Sequence, residues 1–314
     1  MIWIPPLLIL LGFFLALPWL AEGRRPLPDL KRAPGKIAQL PGGDTHYRWY
    51  GPVRGPVIVA VHGLSTPSPV WDGITDGLTQ LGYRVLVYDL YGRGFSAPFA
   101  TGGPFAAAKQ DSAHFLSQLE ELIADQGLDD GITILGFSMG GAIATALAAA
   151  RPELVDQVIL IAPCGMAQLD ETAAQRFARK VPFLGDWLHL AMEPLKITTA
   201  QRRTQLSGPP GFAEGQRIAQ KQRGYFPALL ASRRGIIQEL MEQEHRQISK
   251  TGQELAAVWA ADDAVVPVSG LGQLSQWNRA ARQEMVEGAG HHLLITHPAQ
   301  TLEALHRALR IDEA

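Results

Sequence analysis

Residues 136–141 read GFSMGG. The apolar run Ile132-Thr133-Ile134-Leu135 precedes them, and an alanine-rich stretch, Ala142 to Ala150, follows. A flexible linker would repeat such a pattern. Here it stands once, between a run of strand length and a stretch of good helix formers. Gly136-Phe137-Ser138-Met139-Gly140 fits G-x-S-x-G, a pattern that carries chemistry only where a strand leads in and a helix leads out. In so sharp a turn the flanking backbones nearly touch, and glycines two residues either side of the serine leave the room. The turn lifts the hydroxyl clear of the sheet. The helix starting near Met139 aims its free N–H groups at the same place.

The neighbouring segments fit this turn. PVIVAVHG (56–63), YRVLVYDL (83–90), GITILGF (131–137), VDQVILIAP (155–163) and LAAVWAAD (255–262) are short aliphatic runs that end in turn residues. Strands buried on both faces have this pattern. Residues 70–81, 108–125 and 139–150 have helical spacing. The alternation predicts an α/β class, a mostly parallel sheet with helices on both faces. QEMVEG (283–288) supplies a last strand, residues 299–309 a closing helix, and THYRWYGP (45–52) an early, more exposed strand.

Residues 165–250 break the rhythm. They show no strand pattern, and Pro182, Pro194, Pro209, Pro210 and Pro227 interrupt helix-like pieces. An inserted helical cap is expected here, between a first core part (44–164) and a second (251–314). Its thirteen Lys and Arg exceed its eight Asp and Glu. That excess suits a solvated helical surface; the alternative is attraction for anionic headgroups or an acidic substrate.

The chain of 314 residues is 46% apolar and 18% charged, with net charge -2. Such a chain buries a large core. Nothing in its overall charge points to nucleic acid. Its one cysteine, Cys164, precludes an internal disulfide. With no basic residue beside it in sequence, it is expected as a buried thiol. Residues 1–21, MIWIPPLLILLGFFLALPWLA, carry no charged side chain. As a helix they would reach about 31 Å, enough for a bilayer core. No Lys or Arg precedes Arg24, and a cut after Ala21 would leave Trp19 where a small residue belongs, so an uncleaved transmembrane anchor is expected over a signal peptide. Arg24, Arg25, Lys31, Arg32 and Lys36 follow it, which favours a cytoplasmic catalytic part. Residues 22–43 hold several Pro and Gly and are expected to be a linker.

A serine hydroxyl is a poor nucleophile until a base takes its proton and an acid orients that base. The acid should follow a later strand. Asp262 and Asp263 both follow AAVWAA, and DAVVP puts Asp263 four residues before Pro267. The base should follow the last strand, where EGAGHHLLITHP offers His291, His292 and His297. His291 comes first after Gly-Ala-Gly, where a loop leaves the sheet. The order Ser138, Asp263, His291 is the one this geometry requires, with Asp262 as the rival acid. The oxyanion formed on attack needs two donors. Met139 N–H is one, and the loop VHGLSTPSPVW offers Leu64 N–H as the second. His62, apolar on both sides, is expected to be structural.

These residues resemble the α/β-hydrolase fold family over about residues 45–311. HGL at 62 is similar to its oxyanion loop, DLYGRGFS (89–96) to its D-x-x-G-x-G-x-S turn, GFSMGG to its nucleophile elbow, and DDAVVP and GAGHH to its acid and base loops. The resemblance implies a helical cap after the sixth core strand, no metal and no organic cofactor. It implies an esterase or lipase-like serine hydrolase acting on a small-molecule ester. Ser138 argues against the epoxide hydrolase and dehalogenase branches, whose elbow carries aspartate. A peptidase or C–C bond hydrolase with the same triad is the alternative, and beyond it a non-catalytic binding protein.

Overall fold

The computed structural model describes residues 4–100, 102–103, 106–203 and 211–309. Helix α1 (Ile4–Gly23) and a 3-10 turn (Leu30–Arg32) lead to β1 (Lys36–Leu40), β2 (Gly43–Tyr50), β3 (Val57–Val61), α2 (Asp72–Gln80), β4 (Arg84–Tyr88), α3 (Ser112–Asp125), β5 (Ile132–Phe137), α4 (Met139–Ala150) and β6 (Val155–Ile161). Helices α5 (Ala173–Lys180), α6 (Leu184–Arg203), α7 (Phe212–Lys221), α8 (Tyr225–Arg234) and α9 (Glu242–Thr251) follow. The chain then continues through β7 (Glu254–Ala260), α10 (Ser269–Trp277), β8 (Arg282–Val286), α11 (Leu293–Thr296) and α12 (Pro298–Ala308).

The strands form one sheet in the order β1-β2-β4-β3-β5-β6-β7-β8. β1, β2 and β4 pair antiparallel, and β4 through β8 pair parallel. Successive strand residues point to opposite faces. Val59, Val61, Leu86, Tyr88, Ile132 and Ile134 therefore pack with α3 and α4. Ile58, Ala60, Val85, Val87, Leu135 and Phe137 pack with α2 and α12 on the other side. Every residue of β5 is buried, which is why its sequence is apolar without alternation. In register, Val61 of β3 stands beside Gly136 of β5, so the loop after β3 leaves the sheet next to the serine turn.

Asp89, just after β4, pins the adjoining turns. Its carboxylate accepts from Ser68 N (2.8 Å) and Phe95 N (2.9 Å), and it pairs with His46 Nδ1 at 2.7 Å. Burial alone would push this carboxyl up. The His46 hydrogen bond and charge and the backbone donors outweigh burial and hold it well below the ordinary value.

Three expectations change. First, no helix among the described residues is long and apolar enough to cross a membrane. Among the described side chains, the exposed large apolar residues of α1 fall between Leu8 and Leu20, about 20 Å along the axis against a bilayer core of about 30 Å. The end of α1 lies on the cap instead. Trp19 stacks on Phe183 at 4.9 Å, Phe14 meets Trp187 at 5.0 Å, and Glu22 is buried. Second, residues 36–40, inside the expected linker, form β1 and pair with β2. A glycine-rich neighbourhood hid that edge strand. Third, the stretch expected as cap includes α9, whose Ile248 belongs to the sheet-side core with Ala142 and Leu147 of α4. Several cations in the cap are paired: Arg179 with Glu171, Arg233 with Glu193, and Arg234 with Asp186.

Replacing Asp89 by Asn leaves buried His46 and the turn N–H groups facing a neutral amide. A loss of about 3 kcal/mol in urea unfolding near neutral pH is expected. Because the folded Asp89 carboxyl is held low, its contribution is present above the unfolded value and fades as pH falls. The gap between wild type and Asp89→Asn should therefore narrow below about pH 4.

Candidate active site

Ser138 sits between β5 and α4 at φ 55, ψ -118, a conformation a non-glycine residue rarely adopts. Its N–H donates to Ile161 O at 2.9 Å, and its carbonyl accepts from Gly141 N (2.9 Å) and Cys164 N (3.0 Å). These bonds hold the strained residue between β5, β6 and α4. A Cβ on Gly136 would run into the Gly140 carbonyl, and one on Gly140 into the Val61 carbonyl. Only glycine fits at either place.

Asp263 follows β7 and His291 follows β8, so both come from carboxyl ends of the parallel strands that continue the sheet beyond β6. His291 Nε2 lies 2.9 Å from Ser138 Oγ, and His291 Nδ1 lies 2.8 Å from Asp263 Oδ2. The second Asp263 oxygen accepts from Val265 N (2.7 Å) and Val266 N (2.8 Å), which fixes the carboxylate plane. Burial tends to raise the Asp263 carboxyl. The His291 hydrogen bond and charge and the two backbone donors overcome this and hold it below the ordinary carboxylate value. Asp262 is exposed. His292 has its ring centroid 5.8 Å from that of His291, and burial pushes its basicity down. His297 Nδ1 bonds Thr296 Oγ1 at 2.8 Å, on the exposed side.

The loop after β3 closes on the serine: a Cβ on Gly63 would stand 3.2 Å from Ser138 Cβ. Among the described residues, Leu64 N–H has no hydrogen-bond partner. Met139 is the first residue of α4, where the N–H has no intrahelical acceptor. His62 donates from Nδ1 to Gly63 O (2.8 Å) and accepts at Nε2 from Leu90 N (3.0 Å). Its complete burial pushes its pKa down to about 4, so it is neutral and holds two loops together.

Two neighbours of the site carried no sequence signal of that kind. Cys164 Sγ lies 3.7 Å from Ser138 Oγ, and burial pushes its thiol up to about 12. Arg93, within DLYGRGFS, is buried, and among the described residues it pairs with no carboxylate. It bonds Leu64 O, Tyr91 O, Gln110 Oε1 and Ser232 Oγ, and burial brings its pKa down to about 9. Among the described residues no group of three or more His, Cys, Asp or Glu could hold a metal ion.

Comparison with known proteins gives consistent findings. A profile of the alpha/beta hydrolase fold matches residues 56–298. The chain is 25% identical over 251 residues to a pimeloyl-[acyl-carrier protein] methyl ester esterase of Nitrosomonas europaea, covering 79% of this chain and 93% of that protein. An enol-lactonase from Burkholderia xenovorans has the same fold, with TM-score 0.66 at 19% identity over 88% of this chain and 100% of that one. A membrane phospholipase A, described as a bacterial virulence factor, matches with TM-score 0.69 at 19% identity over 95% of this chain and 91% of its own.

The Cys164 environment makes a chemical prediction. Ellman's reagent at about pH 8 should leave the native protein unreacted and titrate the thiol only after unfolding. Fast reaction of the native protein would contradict the burial described.

Proposed function

Because the chain belongs to the alpha/beta hydrolase fold family and is an ester-hydrolysing enzyme, we propose that it cleaves a carboxylic ester through Ser138, His291 and Asp263 by way of an acyl-enzyme. The observation that carries this reading is the unbroken hydrogen-bond chain from Asp263 Oδ2 through both nitrogens of His291 to Ser138 Oγ. Each link has the length and order that proton transfer needs.

In this reading His291 Nε2 takes the Ser138 proton as Oγ bonds to the carbonyl carbon. The carbonyl electron pair moves to oxygen, and the N–H groups of Leu64 and Met139 receive the oxyanion. Asp263, ionised at neutral pH, holds the imidazolium. His291 then gives its proton to the leaving alkoxide as the C–O bond breaks, and the acyl group remains on Ser138. Water, deprotonated by His291, attacks that ester. Collapse of the second oxyanion releases the acid and returns the proton to Ser138. His62 does not compete for protons, because it is neutral and both its nitrogens are engaged.

The substrate class in this reading is an acyl ester of an amphiphile met at a lipid surface. Residues 8–14 of α1 are exposed in an unbroken apolar run. A helix apolar around its circumference suits hydrocarbon better than a one-sided protein groove. Exposed Arg24, Lys31 and Arg32 follow it and would meet anionic headgroups. A cavity of about 380 Å³ lies where α1 meets the cap, with Trp19, Phe99, Leu190 and Pro227 among its walls; Ser138, His291 and Leu64 are not among them, so it is separate from the reacting centre. The phospholipase also covers more of this chain, 95%, than the enol-lactonase, 88%.

A fluorophosphonate probe should label the wild type and fail to label Ser138→Ala. Asp263→Asn should lower kcat on p-nitrophenyl butyrate by about 10⁴, with Asp262→Asn within a few-fold of wild type. The reverse ranking of the two aspartates would reassign the acid. For the lipid surface, the full chain should co-sediment with phosphatidylglycerol vesicles, and replacing Leu10 and Phe13 by Asp should abolish this. Vesicle binding that survives the double substitution would remove α1 from the account.

A further inference from the structure

The cap grips the loop after β3 from a single helix. Tyr225 Oη, at the start of α8, donates to the Ser65 carbonyl at 3.0 Å. Arg93 carries Nε to the Leu64 carbonyl (3.1 Å) and Nη2 to Ser232 Oγ (2.7 Å) and Ala228 O (3.4 Å), both on α8. The Leu64 side chain packs against the apolar cluster that Tyr225, Phe226 and Leu229 form with Ala219. Both carbonyls flanking this part of the loop are therefore tied, directly or through Arg93, to α8.

The start of α8 is held in turn by a segment some 200 positions away. Gly224, which caps α8 at φ 89, donates its N–H to Glu22 Oε1 at 2.7 Å. Arg25 pairs with Glu22 at 2.9 Å, bonds Gln220 O at 2.8 Å and lies 4.7 Å over the Phe226 ring. Arg223 N donates to Pro26 O at 2.8 Å. A carboxylate only 8% exposed is costly to bury unless its oxygens are matched. Here they are matched by the backbone of the residue next to Tyr225 and by Arg25.

We infer that Glu22 is a positioning residue for ester hydrolysis: by fixing the start of α8 it sets Tyr225, and through Tyr225 the loop that presents the Leu64 N–H to the oxyanion. The last turn of α1 is thus joined to the reacting centre by four residues in hydrogen-bonded or covalent succession: Glu22, Gly224, Tyr225 and Ser65. This rests on the proposed reading of Leu64 as an oxyanion donor. It goes beyond that reading by making the N-terminal helix part of what shapes the site.

Spatial succession alone is not coupling, so the test is a double-mutant cycle. The full chain is assayed for kcat and KM on p-nitrophenyl butyrate, and for inhibition by an aryl trifluoromethyl ketone, whose hemiketal oxyanion occupies the same donors. Glu22→Ala is expected to lower kcat about tenfold with KM within about twofold, and to weaken the ketone by the same factor. Tyr225→Phe should do likewise, and the double variant should be no worse than the worse single one. Glu22→Gln, which keeps an acceptor for Gly224 N–H, should recover most of kcat. Unchanged kcat and ketone affinity in Tyr225→Phe, which deletes one hydroxyl from a packed ring, would overturn the inference even if Glu22→Ala fails to fold. So would losses that multiply in the double variant. Full turnover in Ser138→Ala would sink the site reading itself; an inactive Ser138→Ala beside a fully active Glu22→Ala would sink only this inference.

Discussion

Beneath Ser138, three stretches of backbone come closer than any side chain allows. The Val61 carbonyl fills the space where Gly140 would carry a Cβ, and the Gly140 carbonyl fills that of Gly136. The crossing forces the residue between them to φ 55. It also keeps α4 against β5 and the loop after β3 against the hydroxyl. The strain persists because β6 supplies the Ile161 carbonyl for Ser138 N–H, and Cys164 N meets the Ser138 carbonyl. A parallel sheet with β3, β5 and β6 side by side is the arrangement that provides all of these contacts at once.

Around that point, burial sorts the titratable groups. At His62 burial outweighs the charge of nearby Asp89, and at Cys164 burial dominates too, so the imidazole and the thiol stay neutral. Asp263 is also largely enclosed, yet His291 and two backbone N–H groups face it and keep it ionised. Two histidines within one neighbourhood thus differ in partner rather than in type. His291 has an acid on one side and a hydroxyl on the other. His62 has a backbone carbonyl and a backbone N–H.

Much of this was legible in the sequence, because the signals are local. The buried strands show as short aliphatic runs, and the serine turn shows as two glycines at fixed spacing. His291 stands out by following Gly-Ala-Gly at a strand end. Asp263 and Asp262 are neighbours, and what separates them is that Asp263 caps the turn at Val265 and Val266 and faces His291. What the sequence did not disclose depends on distant parts meeting. The apolar residues at the chain start read as a span, yet Trp19 and Glu22 are used on the cap. β1 is an edge strand of five residues in a Gly- and Pro-rich stretch, with little periodicity to show. Arg93 looks like one more surface cation until Leu64, Gln110 and Ser232 close around it.

The proposed chemistry turns on acylation of Ser138. Rapid mixing with p-nitrophenyl acetate, followed by acid quench and peptide mapping, tests it directly. A burst of nitrophenolate close to one equivalent per chain is expected, with an acetyl group on the peptide that carries Ser138. Acetyl on Cys164 or on a histidine with Ser138 unmodified, or steady turnover that persists in Ser138→Ala, would contradict it.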